Sequence, residues 1–189
     1  MKRILDAVFS VLFLIILSPV FLLVALLIRL DSPGAVLFIQ PRLGQWGRIF
    51  QTVKFRTMSD KPRKSDREII GRDPELTRVG YWLRRLKIDE FPQLVNVVKG
   101  DMSMVGPRPA LPTQMSEYDE ISRRRLEIRP GLTGLAQVSG NIYLSWQERW
   151  KYDVDYVNRI SFCLDLSITL RTIGVMILGE KRFKRTLAS

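Results

Sequence analysis

Histidine is absent from this chain and cysteine occurs once, at Cys163. Without histidine, the side chain that most often carries protons near neutral pH is missing. With one cysteine, an intrachain disulfide and a zinc site built on Cys/His spacing are excluded. Cys163 lies between apolar Phe162 and Leu164, which predicts a buried structural thiol rather than a nucleophile. Repeats and low-complexity stretches are also missing. Acid–base or nucleophilic work therefore falls to carboxylates, and Asp89 and Glu90 stand side by side in KIDEFPQL, with Arg84, Arg85 and Lys87 just upstream.

Acidic residues are scarce overall: 19 Asp+Glu face 30 Lys+Arg, for a formal net charge of +11. That balance implies an anionic partner, whether nucleic acid, an anionic lipid surface or a phosphorylated substrate, and composition does not choose among them. The 189 residues suit one domain with a buried core.

The longest feature is the apolar run over 4–28, interrupted by Asp6, Ser10, Ser18 and Pro19. It continues too far for a signal peptide, whose apolar region is about 7–15 residues, and it meets the length of about 20 residues that a spanning helix needs. Two details favour a re-entrant helical hairpin over a span. Ser18-Pro19 falls near the middle, where proline removes a backbone donor and bends a helix. Lys2 and Arg3 before the run and Arg29 after it would also both keep to the cytoplasmic side.

Beyond Arg29 the chain reads as mixed structure. Residues 35–40 (AVLFIQ) and 48–55 (RIFQTVKF) are β-prone runs around the Pro/Gly turn region PRLGQWG, which predicts a hairpin. Residues 59–74 are polar and broken by Pro and Gly, a loop. A helix is predicted from Pro74, capped by Asp73, through Leu76, Val79, Leu83 and Leu86. FPQLVNVVKG reads as a second helix closed by Gly100, and Ser145 with Glu148 makes a capping box for a third, to about Asn158. Residues 166–178 suit an interfacial or core helix.

Asp89 could simply cap the second helix. As cap, however, its third helical residue is Pro92, which has no N–H to give. The alternative is a phosphate site, where helix N-terminal amides and nearby cations favour an anion. Adjacent carboxylates suit phosphoryl transfer: one attacks phosphorus while the other holds a divalent metal on the phosphate oxygens. Magnesium fits, since it commonly binds through one or two carboxylates plus substrate phosphates. Aspartate needs no deprotonation at neutral pH. Further on, GDMSMVGPRP and RPGLTGLAQVSG each set an arginine against Pro and Gly, a way to fix a guanidinium fork toward phosphate oxygens, and KFRTM adds to them.

The apolar N-terminus with Ser18-Pro19, KFRTM, LRRLKIDEFPQLVNVVKGDMSMVGPRP, RPGLTGLAQVSG and SWQERWKYDVDYV occur in that order. Over nearly its whole length the chain resembles the small monotopic phosphoglycosyl transferases of the bacterial sugar transferase family. The resemblance implies an α+β fold: a re-entrant membrane helix over 1–30, and over 31–189 a small mixed catalytic domain with interfacial amphipathic helices. It implies transfer of a sugar 1-phosphate from a UDP-sugar to polyprenyl (undecaprenyl) phosphate, at the cytoplasmic face of the bacterial inner membrane, with release of UMP and without nucleic acid. A homodimer is compatible with it. It makes Asp89 the nucleophile of a covalent phosphosugar intermediate and Glu90 the Mg2+ ligand, with Lys54, Arg84, Arg108 and Arg129 handling phosphate. Asp153 and Asp165 fall in family-like contexts, and a structural role is equally open to each, for Asp153 by pairing with Arg149 one turn earlier. Asn141 stands where relatives often carry arginine. The chain would be the minimal catalytic form, without the extra N-terminal part of larger relatives.

Two rivals remain at this level. One is a membrane-anchored basic adapter in which Asp89 is a cap and Glu90 a solvated neighbour. The other is a transferase whose polyprenyl phosphate attacks the donor directly, requiring both substrates together where a covalent route is ping-pong.

Overall fold

A computed structural model describes residues 2–59 and 73–183 of the protein. Residues 60–72, most of the segment read as a polar loop, lie outside them. The apolar run forms one helix, α1 (Lys2–Asp31), with Pro19 inside it. Proline cannot donate to the carbonyl four residues back; here Ser18 Oγ donates to that carbonyl, Ile15 O, at 2.8 Å. The Ser-Pro pair thus keeps the acceptor satisfied at the one point where the helix loses its ladder bond.

Both ends of α1 are docked on the remainder of the chain. At the start, Arg3 donates to the carbonyls of Val97 and Val98, Ser103 Oγ donates to Asp6 Oδ2 at 2.6 Å, and Lys2 pairs with Asp165 at 2.6 Å. At the other end Val24 and Ile28 are buried with Phe55 and Leu83, and Asp31 Oδ2 accepts from the Val79 amide at 2.8 Å. Between these ends Val11, Leu12, Phe13, Ile15, Ile16 and Val20 are exposed, an apolar surface that water does not tolerate at this extent.

The predicted hairpin forms: β1 (Leu37–Leu43) pairs antiparallel with β2 (Ile49–Phe55), Leu37 opposite Phe55 and Leu43 opposite Ile49. The free edge of β2 is closed by a side chain. Asn96 accepts from the Val53 amide at 3.1 Å and donates to Gln51 O at 2.7 Å, so a buried carboxamide stands in for a third strand. It belongs to α3 (Leu94–Lys99), which Gly100 ends at φ 97°.

The helix expected from Pro74 begins later, as α2 (Arg78–Arg85), and its cap is Thr77 rather than Asp73. Leu76 is bridged to Met58, which keeps residues before Thr77 extended, and the Asp73 carboxylate is used by the Glu75 amide in a local turn. A 3-10 helix, Ile88–Gln93, follows Lys87, whose φ of 58° turns the chain back after α2. FPQ, read as the start of the second helix, belongs to that tighter coil.

The second sheet pairs β3 (Ser103–Val105) with β4 (Gly131–Thr133) in parallel. A Cβ on Gly131 would sit 2.1 Å from the Gly106 amide nitrogen, so only glycine lets the RPGLTG backbone lie against the GPRP backbone. The short α4 (Glu120–Arg123) precedes β4. As expected, α5 (Trp146–Asn158) opens with the Ser145/Glu148 capping box. α6 (Phe162–Leu178) starts four residues earlier than predicted, capped by Ser161. Tyr156, Val138, Ile168 and Val175 fill the core beneath this sheet. The opposite face of α6 exposes Phe162, Leu166, Leu170, Ile173 and Ile177, one stripe at helical spacing. Cys163 is exposed, contrary to the expectation of a buried thiol. Its apolar neighbours split, Phe162 on the outward face of α6 and Leu164 against the core, so they do not fix the side that Cys163 takes.

Gly131→Ala will lower stability by more than about 2 kcal/mol, because backbone meets backbone there and nothing flexible can yield. Thermal unfolding of the purified chain measures this, and an unchanged midpoint would show that the two strands separate freely.

Candidate active site

Lys54 near the end of β2, Glu90 in the 3-10 helix and Arg108 in the loop after β3 meet at one carboxylate. Lys54 Nζ donates to Glu90 Oε1 at 2.7 Å; Arg108 donates to Oε1 at 2.8 Å and to Oε2 at 3.3 Å. The Glu90 side chain is 13 % exposed. Burial alone would push its carboxyl up, but Arg108 and Lys54 more than offset this and hold it well below the usual range. Burial lowers the Lys54 ammonium, and Glu90 opposes that shift.

Asp89 is buried beside this cluster and, among the described residues, its side chain makes no hydrogen bond. It is not a helix cap: the 3-10 helix has no side-chain cap, and α3 begins five residues later, so the bland reading of Asp89 fails. Burial first, and Glu90 next, raise its carboxyl to about 6, against the pull of Lys54, Arg84 and Lys87. The two adjacent carboxylates are thus tuned in opposite directions.

The remaining predicted residues divide. Arg84, on α2, is close enough to draw the Asp89 carboxyl down, and its Nε donates to Thr57 Oγ1 at 2.9 Å. Arg129 is half-buried and joins no ion pair among the described residues; the site takes the following Gly131 and Leu132 instead. A narrow cavity is lined by Arg42, Thr52, Lys54, Glu90, Gln93, Arg108, Pro109, Gly131 and Leu132.

Arg42, Arg125 and the use made of Asp153 were not read from sequence. Arg125 is buried, pairs with Asp153 at 2.7 Å, and donates to Arg108 O at 2.8 Å and to the Tyr118 hydroxyl. It fixes the main chain from which Arg108 reaches Glu90. Asp153 is structural, the second of its two options, but through Arg125 rather than Arg149; burial raises its carboxyl against that pull. Arg42 carried the same signal as Arg108, an arginine beside proline and ahead of glycine in PRLG. Arg125, within the basic run RRRL, carried none.

A family model described as bacterial sugar transferase matches residues 1–179. The uncharacterized sugar transferase EpsL of Bacillus subtilis is 40 % identical over 180 residues, covering 95 % of this chain and 89 % of that protein. The UDP-glucose:undecaprenyl-phosphate glucose-1-phosphate transferase of Caulobacter vibrioides is 41 % identical, over 96 % of this chain and 72 % of its own length. The undecaprenyl-phosphate glucose phosphotransferase of Komagataeibacter xylinus is 41 % identical over 96 % of this chain, which spans 37 % of that longer protein.

The raised carboxyl of Asp89 has a sign in stability. The folded state holds this proton up to about pH 6, against an ordinary 3.8, so ionising it opposes folding, partly above pH 4 and fully above pH 6. Asp89→Asn will therefore unfold at higher temperature than the parent at pH 7.5, and the gain will shrink to nothing toward pH 4. A gain that is equal at both pH values would deny the burial argument.

Proposed function

The chain belongs to the bacterial sugar transferase family and is a transferase, and we propose that it moves a sugar 1-phosphate from a UDP-sugar to undecaprenyl phosphate through a covalent intermediate on Asp89. The observation that carries this reading is the bare, buried carboxylate of Asp89 next to a Glu90 that two cations hold ionised. A carboxylate Oδ attacks the sugar-linked phosphorus. An aspartyl P–O bond forms, the bond from phosphorus to the bridging oxygen breaks, and its electron pair leaves with UMP. A phosphate oxygen of the lipid then attacks the same phosphorus, and the Asp89 carboxylate departs as it entered. No proton changes hands in either step, which suits a chain without histidine. Lys54, Arg84 and Arg108 draw the charge on the phosphate oxygens toward themselves.

Magnesium suits the donor set. Glu90 Oε2, which carries only the longer of the two Arg108 bonds, would hold a hard cation, with most of the remaining ligands coming from outside the protein. Such an ion neutralises phosphate charge.

We place residues 1–30 in the bacterial inner membrane as a re-entrant element and 31–189 at its cytoplasmic face. A straight helix would hold Arg3 and Ile28 about 37 Å apart. Yet Arg3 binds Val97 O and Ile28 packs with Phe55, and between these anchors Val53 is bonded to Asn96 at 3.1 Å. A bend at Ser18-Pro19 reconciles the two anchors. The apolar stripe of α6 then lies along the interface, beside the lipid substrate.

With magnesium and its UDP-sugar, the purified protein will release UMP and gain the mass of a phosphosugar on Asp89; Asp89→Asn will do neither. Adduct formation will slow about tenfold per pH unit below about pH 6, as Asp89 takes up its proton. Turnover without an adduct on Asp89 would remove the covalent route. For the membrane element, single cysteines placed at position 2 and at Arg159 in a chain lacking Cys163 will be labelled from the same side of the membrane, whereas labelling from opposite sides would establish a span.

A further inference from the structure

We propose that Arg42 is a substrate-binding residue that holds the phosphate departing with the nucleoside; this rests on the transfer reading above and assigns one end of its donor. Arg42 lies on β1 and reaches the same cavity as Glu90, Lys54 and Arg108. Its described hydrogen bonds go to neutral acceptors, from Nη1 to Pro109 O at 3.2 Å and from Nη2 to Gln40 Oε1 at 2.7 Å, and no carboxylate pairs with it among the described residues. Lys54 and Arg108 share Glu90, so the charge on Arg42 is the unmatched one. Burial and the neighbouring Arg108 lower its guanidinium to about 10, against the pull of Glu90, so it remains charged at neutral pH while held beside another cation.

Arg42 thus offers an anion arriving beside Glu90 a guanidinium that no described carboxylate already holds. Direction comes from the reaction. In a phosphoryl displacement the nucleophile and the leaving oxygen lie roughly in line on opposite sides of phosphorus. Arg42 lines the cavity with Glu90, whereas neither Asp89 nor Arg84 does, and Arg42 accordingly takes the side of phosphorus opposite Asp89. As the bond from phosphorus to the bridging oxygen breaks, that oxygen's electron pair adds a negative charge to the nucleoside's phosphate. A planar guanidinium there can meet two of its oxygens at once.

The test separates the two half-reactions of the full-length protein in detergent. Arg42→Gln will weaken UMP binding, read by calorimetry, about tenfold, and will slow adduct formation on Asp89. It will leave unchanged the rate at which undecaprenyl phosphate clears an adduct already formed, because the nucleotide has gone by then. Arg42→Lys will recover part of the UMP affinity, and thermal unfolding of both variants guards against misfolding. If Arg42→Gln binds UMP as the parent does, or slows both half-reactions equally, Arg42 is a structural residue and the proposal fails. Failure of the parent to bind any of the four ribonucleoside monophosphates also overturns it. An adduct on Asp89 in the parent, with no effect of Arg42, leaves the transfer reading intact and removes only this assignment.

Discussion

The Glu90 carboxylate, held by Lys54 from β2 and Arg108 from the loop after β3, is the contact on which the rest of the site depends. Three segments far apart in sequence converge on it, and each brings a charge that is costly to remove from water. A buried charge without its partner destabilises by about 3–5 kcal/mol, so Lys54 and Glu90 stay together, while Arg108, 37 % exposed, adds its fork from the solvent side. This pins β2, the 3-10 helix and the GPRP loop to one another. Asp89 is carried into place as the neighbour of a residue that cannot move.

The scaffold behind that contact is built from main-chain approaches rather than from a large sheet. Asn96 supplies β2 with the hydrogen bonds of an absent strand, and Gly106 and Gly131 let two loops lie backbone to backbone. Arg125 then ties the carbonyl of Arg108 to Asp153 on α5. A pairing of two buried charges contributes little net stability. What it does contribute is direction, since it fixes the point from which Arg108 extends its fork. The helical layer of α5 is thereby linked to the position of Glu90.

Much of this was legible where a local rule acts alone. The hairpin, the capping box at Ser145 and the Gly100 terminus of α3 follow from short-range chemistry, and the structure keeps them. The start of α2 was misplaced because a tertiary bridge, Leu76 to Met58, overrides a plausible cap. Cys163 is exposed although apolar residues flank it, because on a helix adjacent positions point to different sides: Phe162 faces outward and Leu164 the core. In the site, the adjacent carboxylates are legible as a pair from the residues alone, and Lys54, Arg84 and Arg108, named through the family resemblance, gather around them. Arg42 carries the same local signal as Arg108, and Arg125 carries none: an arginine's role depends on which acceptors the fold brings to it, and sequence spacing does not report distances across separate segments.

The two carboxylates also explain why adjacency matters. Placed in equal surroundings, two neighbouring buried carboxyls would share a proton and neither would be a dependable nucleophile at neutral pH. Here the cations are unequally distributed: Lys54 and Arg108 bond directly to Glu90, while Asp89 receives only the more distant influence of Lys54, Arg84 and Lys87. Glu90 therefore stays ionised and raises its neighbour. Asp89, at about 6, is ionised at neutrality, yet among the described residues no hydrogen bond blunts it. A carboxylate in that condition gains more from bonding to phosphorus than one already held by donors, because less has to be broken first. The same imbalance gives the second step an acceptable leaving group, since the carboxylate released returns to a place where nearby cations tolerate its charge.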